Sequence, residues 1–374
     1  MRDDSRHSSF CVFPWSTGRT FALLALTACS TPVEVAPAAA AAPQPAAVMP
    51  GPASPRRGGD AVARNDDCVA CHSDIAEEWQ ASLHREAYTG REFQHSLQRE
   101  PLPFCRGCHA PEADNRRPEP ALAAIGVACV TCHLPAGDVV LSARPADAPL
   151  TADHPVLRTA AFASPQACGG CHEFTFPDRR AAPEFMQTTL REHAASQHSD
   201  RSCADCHMPR AADGHRSHRF SATRDEPWMR SVISVQAARP TPDRIELTLD
   251  LREDLVGHAF PTGDLMRRLS VQVEPQRPGR PRPQQQFLTR HWTTARIGNK
   301  GPAVRTESHD DRLGVGEDPR VLTFQLDPAD ATLPIRWRVD YERVESFIGP
   351  SDASAIVVGG IPLANGTLPP HSPP

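Results

Sequence analysis

Aromatic side chains are scarce in this chain. They make up 6% of its 374 residues, and only two of them, Tyr88 and Tyr341, are tyrosines. So few large rings make a thin core for a protein of this length, unless something other than side chains supplies apolar surface. Charge of one sign is also lacking: a formal net charge of −5 excludes the strongly basic surface that nucleic-acid binding needs. Long apolar runs are missing as well. The run Phe21-Ala22-Leu23-Leu24-Ala25-Leu26 is too short to span a bilayer and reads as the apolar part of an export signal. Cysteine, by contrast, is plentiful.

Ten of the twelve cysteines fall in five Cys-x-x-Cys-His strings. These are Cys68-Val69-Ala70-Cys71-His72, Cys105-Arg106-Gly107-Cys108-His109, Cys129-Val130-Thr131-Cys132-His133, Cys168-Gly169-Gly170-Cys171-His172 and Cys203-Ala204-Asp205-Cys206-His207. In such a string both thiols form thioethers with the vinyl groups of one haem, and the following imidazole becomes the proximal iron ligand. Two intervening residues put both sulfurs along one porphyrin edge and carry the His beneath the iron. Zinc sites do not require a His after every cysteine pair. A thioredoxin-like redox motif is expected once, in a βαβ setting. The pattern therefore predicts five covalently bound c-type haems and their irons. Porphyrin faces then supply the apolar surface that the side chains lack. Haem propionates make the holoprotein more acidic, which favours a basic redox partner and no nucleic acid.

Cys11 and Cys29 remain. Leu26-Thr27-Ala28-Cys29 resembles the lipobox of bacterial lipoproteins, whose Cys is lipidated after cleavage; the other reading is a chance Ala-Cys after an ordinary secretory signal. Both readings imply export. Residues 1–29 are thus expected to be a lipoprotein-type signal. Residues 30–64, rich in Ala and Pro, are expected to form an extended tether that lifts the rest off a membrane. The expected location is periplasmic or outer-membrane, by lipid anchor.

The fold class expected is α+β, with a mostly irregular and α-helical multihaem domain over 65–228 followed by a small β-sandwich-like domain over 229–349. Ile75, Trp79 and Leu83 share a helical face, and a second helix is expected over Glu184–Gln197. Beyond 230, runs such as Arg244-Ile245-Glu246-Leu247-Thr248-Leu249 and Val321-Leu322-Thr323-Phe324-Gln325-Leu326 alternate apolar and polar residues, as half-buried strands do. Residues 350–374, rich in Pro, Gly and Ser, read as a flexible tail.

The five motif histidines leave twelve others, and several are expected to be distal iron ligands. Glu78-Trp79-Gln80-Ala81-Ser82-Leu83-His84 echoes Glu192-His193-Ala194-Ala195-Ser196-Gln197-His198, so His84 and His198 are paired candidates. His258, inside Gly257-His258-Ala259-Phe260-Pro261-Thr262-Gly263, is placed to reach back from the strand region. His218, His95 and His154 complete the set. His193, His291 and His309 rank below these as distal candidates.

At several of these positions the chain resembles the multihaem cytochromes c that include the tetrahaem electron acceptor of hydroxylamine oxidoreductase and, more distantly, pentahaem nitrite reductase. The matching strings are Trp79-x-x-Ser82-x-His84, Cys105-x-x-Cys108-His109-Ala110-Pro111, Gly126-Val127-x-Cys129, Cys168-x-x-Cys171-His172-Glu173, Cys203-x-x-Cys206-His207-Met208-Pro209 and Gly257-His258-x-Phe260-Pro261-Thr262-Gly263. Nitrite reductases of this group commonly bind their catalytic haem through Cys-x-x-Cys-Lys, which this chain lacks. The cross-linking Tyr of hydroxylamine oxidoreductases has no convincing counterpart. The function expected is electron relay in the bacterial cell envelope through haems ligated by His on both sides, toward redox partner proteins. The alternatives are a haem-based reductase of nitrite, hydroxylamine or a sulfur oxyanion with one open iron, or a docking role for the strand region.

Overall fold

The computed structural model describes residues 48–53, 60–135, 137–144, 149, 152–177, 184–221, 225–279, 283–296, 303–347 and 352–371. Cys29 and most of the tether lie outside them. The fold is α+β. Helices come first: α1 (Asp60–Cys71), α2 (Ser73–Gln80), α3 (Arg91–Arg99), α4 (Arg106–His109), α5 (Pro120–Ala124), α6 (Cys129–His133), α7 (Gln166–His172), α8 (Thr189–Ala194), α9 (Cys203–His207) and α10 (Glu226–Ser231). Two small sheets interrupt them. Strand β1 (Val140–Ser142) pairs parallel with β2 (Val156–Arg158), and β3 (Glu173–Thr175) pairs antiparallel with β4 (Phe185–Thr188).

Three differences from the sequence reading stand out in this half. Helix α1 starts at Asp60, inside the segment read as tether. Helix α2 stops at Gln80, so His84 lies in the turns after it. The stretch from Glu184 is not one helix: Phe185–Thr188 is a strand and only Thr189–Ala194 is helical. The partner strand Glu173–Thr175, remote in sequence, overrides the helical period there.

Between 233 and 368 the described residues hold nine strands: β5 (Ile233–Thr241), β6 (Arg244–Leu251), β7 (Arg267–Pro275), β8 (Gln284–Leu288), β9 (Arg290–Arg296), β10 (Ala303–Asp310), β11 (Arg320–Gln325), β12 (Ile335–Phe347) and β13 (Ala355–Leu368). They form a three-stranded sheet β11-β6-β5, a four-stranded sheet β13-β12-β7-β8 and a two-stranded sheet β10-β9. Alternation decides which face is buried. Ile245, Leu247, Leu249 and Leu251 point inward from β6, and Leu269, Val271 and Val273 from β7. With Phe324, Val339 and Ile361 they join one apolar core shared by the two larger sheets.

The segment read as a flexible tail is instead largely strand β13. Its Gly and Pro residues look like breakers in sequence, but β13 is the edge of its sheet, where Pro is tolerated. Pro362 sits beside a register shift, Trp337 packs onto Gly366, and Ile361 and Leu363 are buried.

Residues 46–374 belong to one compact unit. Ion pairs stitch its halves together: Arg99 with Glu345, Arg343 with Glu92 at 3.2 Å, and Arg312 with Glu192 at 2.8 Å. The helical half has only a modest core, Trp79, Leu122, Ile125, Val130 and Leu134 among several alanines.

Candidate haem-binding site

Each motif ends a helix. The residue after it leaves the helical region: His72 itself in the first, then Ala110, Leu134, Glu173 and Met208, with φ between −111° and −147°. One helical turn brings both thiols to one side, and the break that follows frees the imidazole to turn toward whatever lies over that side.

Four of the five motif imidazoles have a second imidazole opposite. Ring centroids are 6.4 Å apart for His72 and His154, 6.2 Å for His84 and His172, 6.1 Å for His133 and His218, and 6.1 Å for His207 and His258. An iron held about 2 Å from one nitrogen of each ring separates the centroids by about 6 Å. The donor set and its spacing therefore fit a haem iron between each pair. Burial lowers the pKa of His84 to about 3 and of His207 and His218 to about 4, with nearby imidazoles adding to the effect. Burial also lowers the pKa of His133, His172 and His258. Neutral imidazole is the form that binds a metal.

His109 differs. Among the described residues no histidine ring faces it; Phe93 stacks on it with centroids 3.8 Å apart and planes 9° apart. Its Nδ1 lies 2.6 Å from the Ala87 carbonyl, which fixes the ring. His95, one of the six distal candidates, sits on the same helix as Phe93, with Nδ1 3.6 Å from a Glu345 oxygen. Among the described residues no motif imidazole faces His198 either, and its Nε2 lies 2.8 Å from the Glu253 carbonyl oxygen. The structure thus brings four of the six candidates, His84, His154, His218 and His258, opposite a motif His and leaves His95 and His198 elsewhere.

The paired histidines are positioned by residues that mostly lie in the quoted sequence strings but to which the sequence assigned no role. Gly126 has φ +62°, and a Cβ there would clash with the His84 carbonyl oxygen. The Val127 N–H donates to that same oxygen at 2.9 Å, while the Trp79 indole donates to the Val127 carbonyl at 2.8 Å. Phe220 packs edge-on against His84. Glu78 accepts the His218 N–H at 2.8 Å and lies 3.3 Å from His215 Nε2, which holds the loop that presents His218. The His258 loop is pinned by backbone pairing of Phe260 with Leu313 and by Arg312, which donates to the Pro261 carbonyl at 2.9 Å. Thr262 donates to Glu192 at 2.6 Å. Burial opposes ionisation of Glu192, yet Arg312 and the hydroxyls of Thr188 and Thr262 hold its pKa below the usual carboxylate value.

The motifs also touch one another. The Cys68 thiol neighbours that of Cys129, Cys108 that of Cys171, and Cys168 that of Cys203. Cys132 lies within electrostatic reach of both Cys168 and Cys171. The fourth motif is therefore a junction between the second, third and fifth.

Residues 67–134 match a family model described as cytochrome c554 and c-prime. In three dimensions the chain is similar to a penta-heme cytochrome c552 from Thermochromatium tepidum, with 20% identity and a TM-score of 0.57, over 81% of this chain and 97% of that one. A comparison with curated proteins finds no match. These findings support a multihaem c-type cytochrome. Among the described residues, no helix of this chain is long and apolar enough to cross a membrane.

Proposed function

We propose that this cytochrome carries five haems and relays electrons in the cell envelope, with four irons held by His on both sides. The observation that carries the reading is the set of four imidazole pairs at 6.1–6.4 Å. Two axial imidazoles leave iron no open position, which suits electron transfer over bond-making. Contacts among the motifs support a route from the first haem through the third to the fourth, with branches to the second and fifth. His72 and His154 are exposed, so the first haem is a port for a redox partner. The strand region acts as a small β-sandwich brace that carries His258. Cys29, if lipidated, anchors the exported protein to a membrane through the tether.

A second reading, a reductase at the His109 haem, is favoured by one observation: no imidazole faces His109 among the described residues. Arg267 lies within electrostatic reach of His109 and donates to the Tyr341 hydroxyl at 2.7 Å, and an Arg–Tyr pair suits a small oxyanion. EPR of the oxidised protein tests the relay: four low-spin centres and one high-spin centre are expected, and two or more high-spin centres would overturn it. The second reading is tested by mixing reduced protein with nitrite or hydroxylamine; absence of single-turnover reoxidation removes it.

A further inference from the structure

Two histidines outside the haem sites lie side by side. His291 on β9 and His309 on β10 are register partners across the hairpin, with rings stacked 4.0 Å apart and 11° between planes. Consecutive strand residues point to opposite faces, so the register shift between Glu307 and His309 matters: it turns His309 to the face that His291 occupies. Asp311 follows directly after the strand. Its carboxylate is 3.0 Å from His291 Nε2 and 4.0 Å from His309 Nε2. One ligand atom from each of these three residues lies within 4.8 Å of the others.

We propose that His291, His309 and Asp311 bind a divalent transition-metal ion of the zinc class. Bonds of about 2.0–2.2 Å in tetrahedral geometry put ligand atoms about 3.3 Å apart, close to what is present. His309 is the ligand that must close in, and its side chain is 60% exposed. A nitrogen-rich set excludes magnesium and calcium, which take oxygen ligands, and leaves zinc, copper and nickel by ligand type.

Two observations beyond the cluster itself support the site. Buried His291 Nε2 has no hydrogen-bond partner although an Asp311 oxygen is 3.0 Å away, because the two are not aligned for one. An ion between them satisfies both atoms without that alignment. In addition, His291 Nδ1 lies 3.1 Å from an Asp352 oxygen. A carboxylate on the far nitrogen of a ligating imidazole fixes its tautomer and raises its basicity. Asp311 is oriented in turn by the Thr289 N–H at 2.7 Å. Strands β9 and β10 form a two-stranded sheet of their own, an arrangement of marginal stability alone. The ion would tie β9 to the end of β10 and the residue that follows it, and three protein ligands leave a fourth position for water.

The rival arrangement is an imidazolium at His291 between two carboxylates, with no metal. To separate them, haem-loaded protein is stripped with EDTA and titrated with Zn²⁺ against a chelator of known affinity. One equivalent is expected to bind. Zinc K-edge absorption, which the haem irons do not obscure, is expected to show nitrogen and oxygen at about 2.0 Å with imidazole outer shells. His309→Ala and Asp311→Asn are each expected to weaken binding at least tenfold, and Asp352→Asn by about 10–100-fold, with haem spectra unchanged. No uptake, or uptake that neither His309→Ala nor Asp311→Asn alters, would overturn the site. The absorption measurement on the unaltered protein decides the matter even if a variant misfolds.

Discussion

The imidazoles of His207 and His258 lie almost parallel, 7° apart, with centroids separated by 6.1 Å. One ends a haem motif and the other belongs to a loop between strands, so a single iron would join the two halves of the fold. His258→Ala is expected to convert one low-spin haem to high-spin and to add one equivalent of CO binding, while His198→Ala leaves the spectrum unchanged. Optical and EPR titration checks both; the reverse pattern would make His198 the ligand.

Gly126→Ala forces a side chain into a left-handed position and against the His84 backbone. Strain of this kind costs about 1–3 kcal/mol before any clash is counted. The expected outcome is loss of stability together with a high-spin signal from the haem at His172. Chemical denaturation and EPR measure the two effects separately.

Arg312 is buried between Glu192 and Asp310. Removing it as Arg312→Ala leaves Glu192 as a buried, unpaired carboxylate, at a cost of about 3–5 kcal/mol. Glu192→Gln together with Arg312→Met recovers much of this loss. Denaturation of the three variants checks the order.

The same pair sets an acid limb. A carboxylate whose folded pKa is depressed contributes stability that is fully present above its unfolded value, about 4.3, and is lost as pH falls through the folded pKa. Stability is therefore expected to drop below about pH 4, and Glu192→Gln flattens that part of the curve. A pH series of thermal melts reads it directly.

Covalent attachment was legible because its chemistry is local: sulfurs and imidazole are fixed by spacing within five residues. Distal partners are chosen by the fold, and here sequence reasoning succeeded in part. The echo between Glu78–His84 and Glu192–His198 is real, but what it repeats is the end of a helix. Ser82 Oγ accepts from the Arg85 N–H and Ser196 Oγ from the His198 N–H, and both glutamates make long-range anchors. Only one of the two final histidines meets a motif, because what crosses over each turn is decided by segments far away. Strands β6, β7 and β11 announced themselves by alternation. Strands β9, β10 and β13 did not: Gly, Pro and charged residues sit in edges and hairpins where pairing outweighs propensity.

The thiol contacts between motifs carry a consequence for biogenesis. Cys68 reaches Cys129, Cys108 reaches Cys171 and Cys168 reaches Cys203, each pair drawn from different haem sites. In an oxidising compartment, neighbouring thiols are exposed to disulfide formation. A chain that collapsed before loading would thus seal six of its ten attachment sulfurs into wrong cross-links. Loading haem onto an open, reduced chain avoids those cross-links, so the closeness of the motifs constrains when the chain can fold.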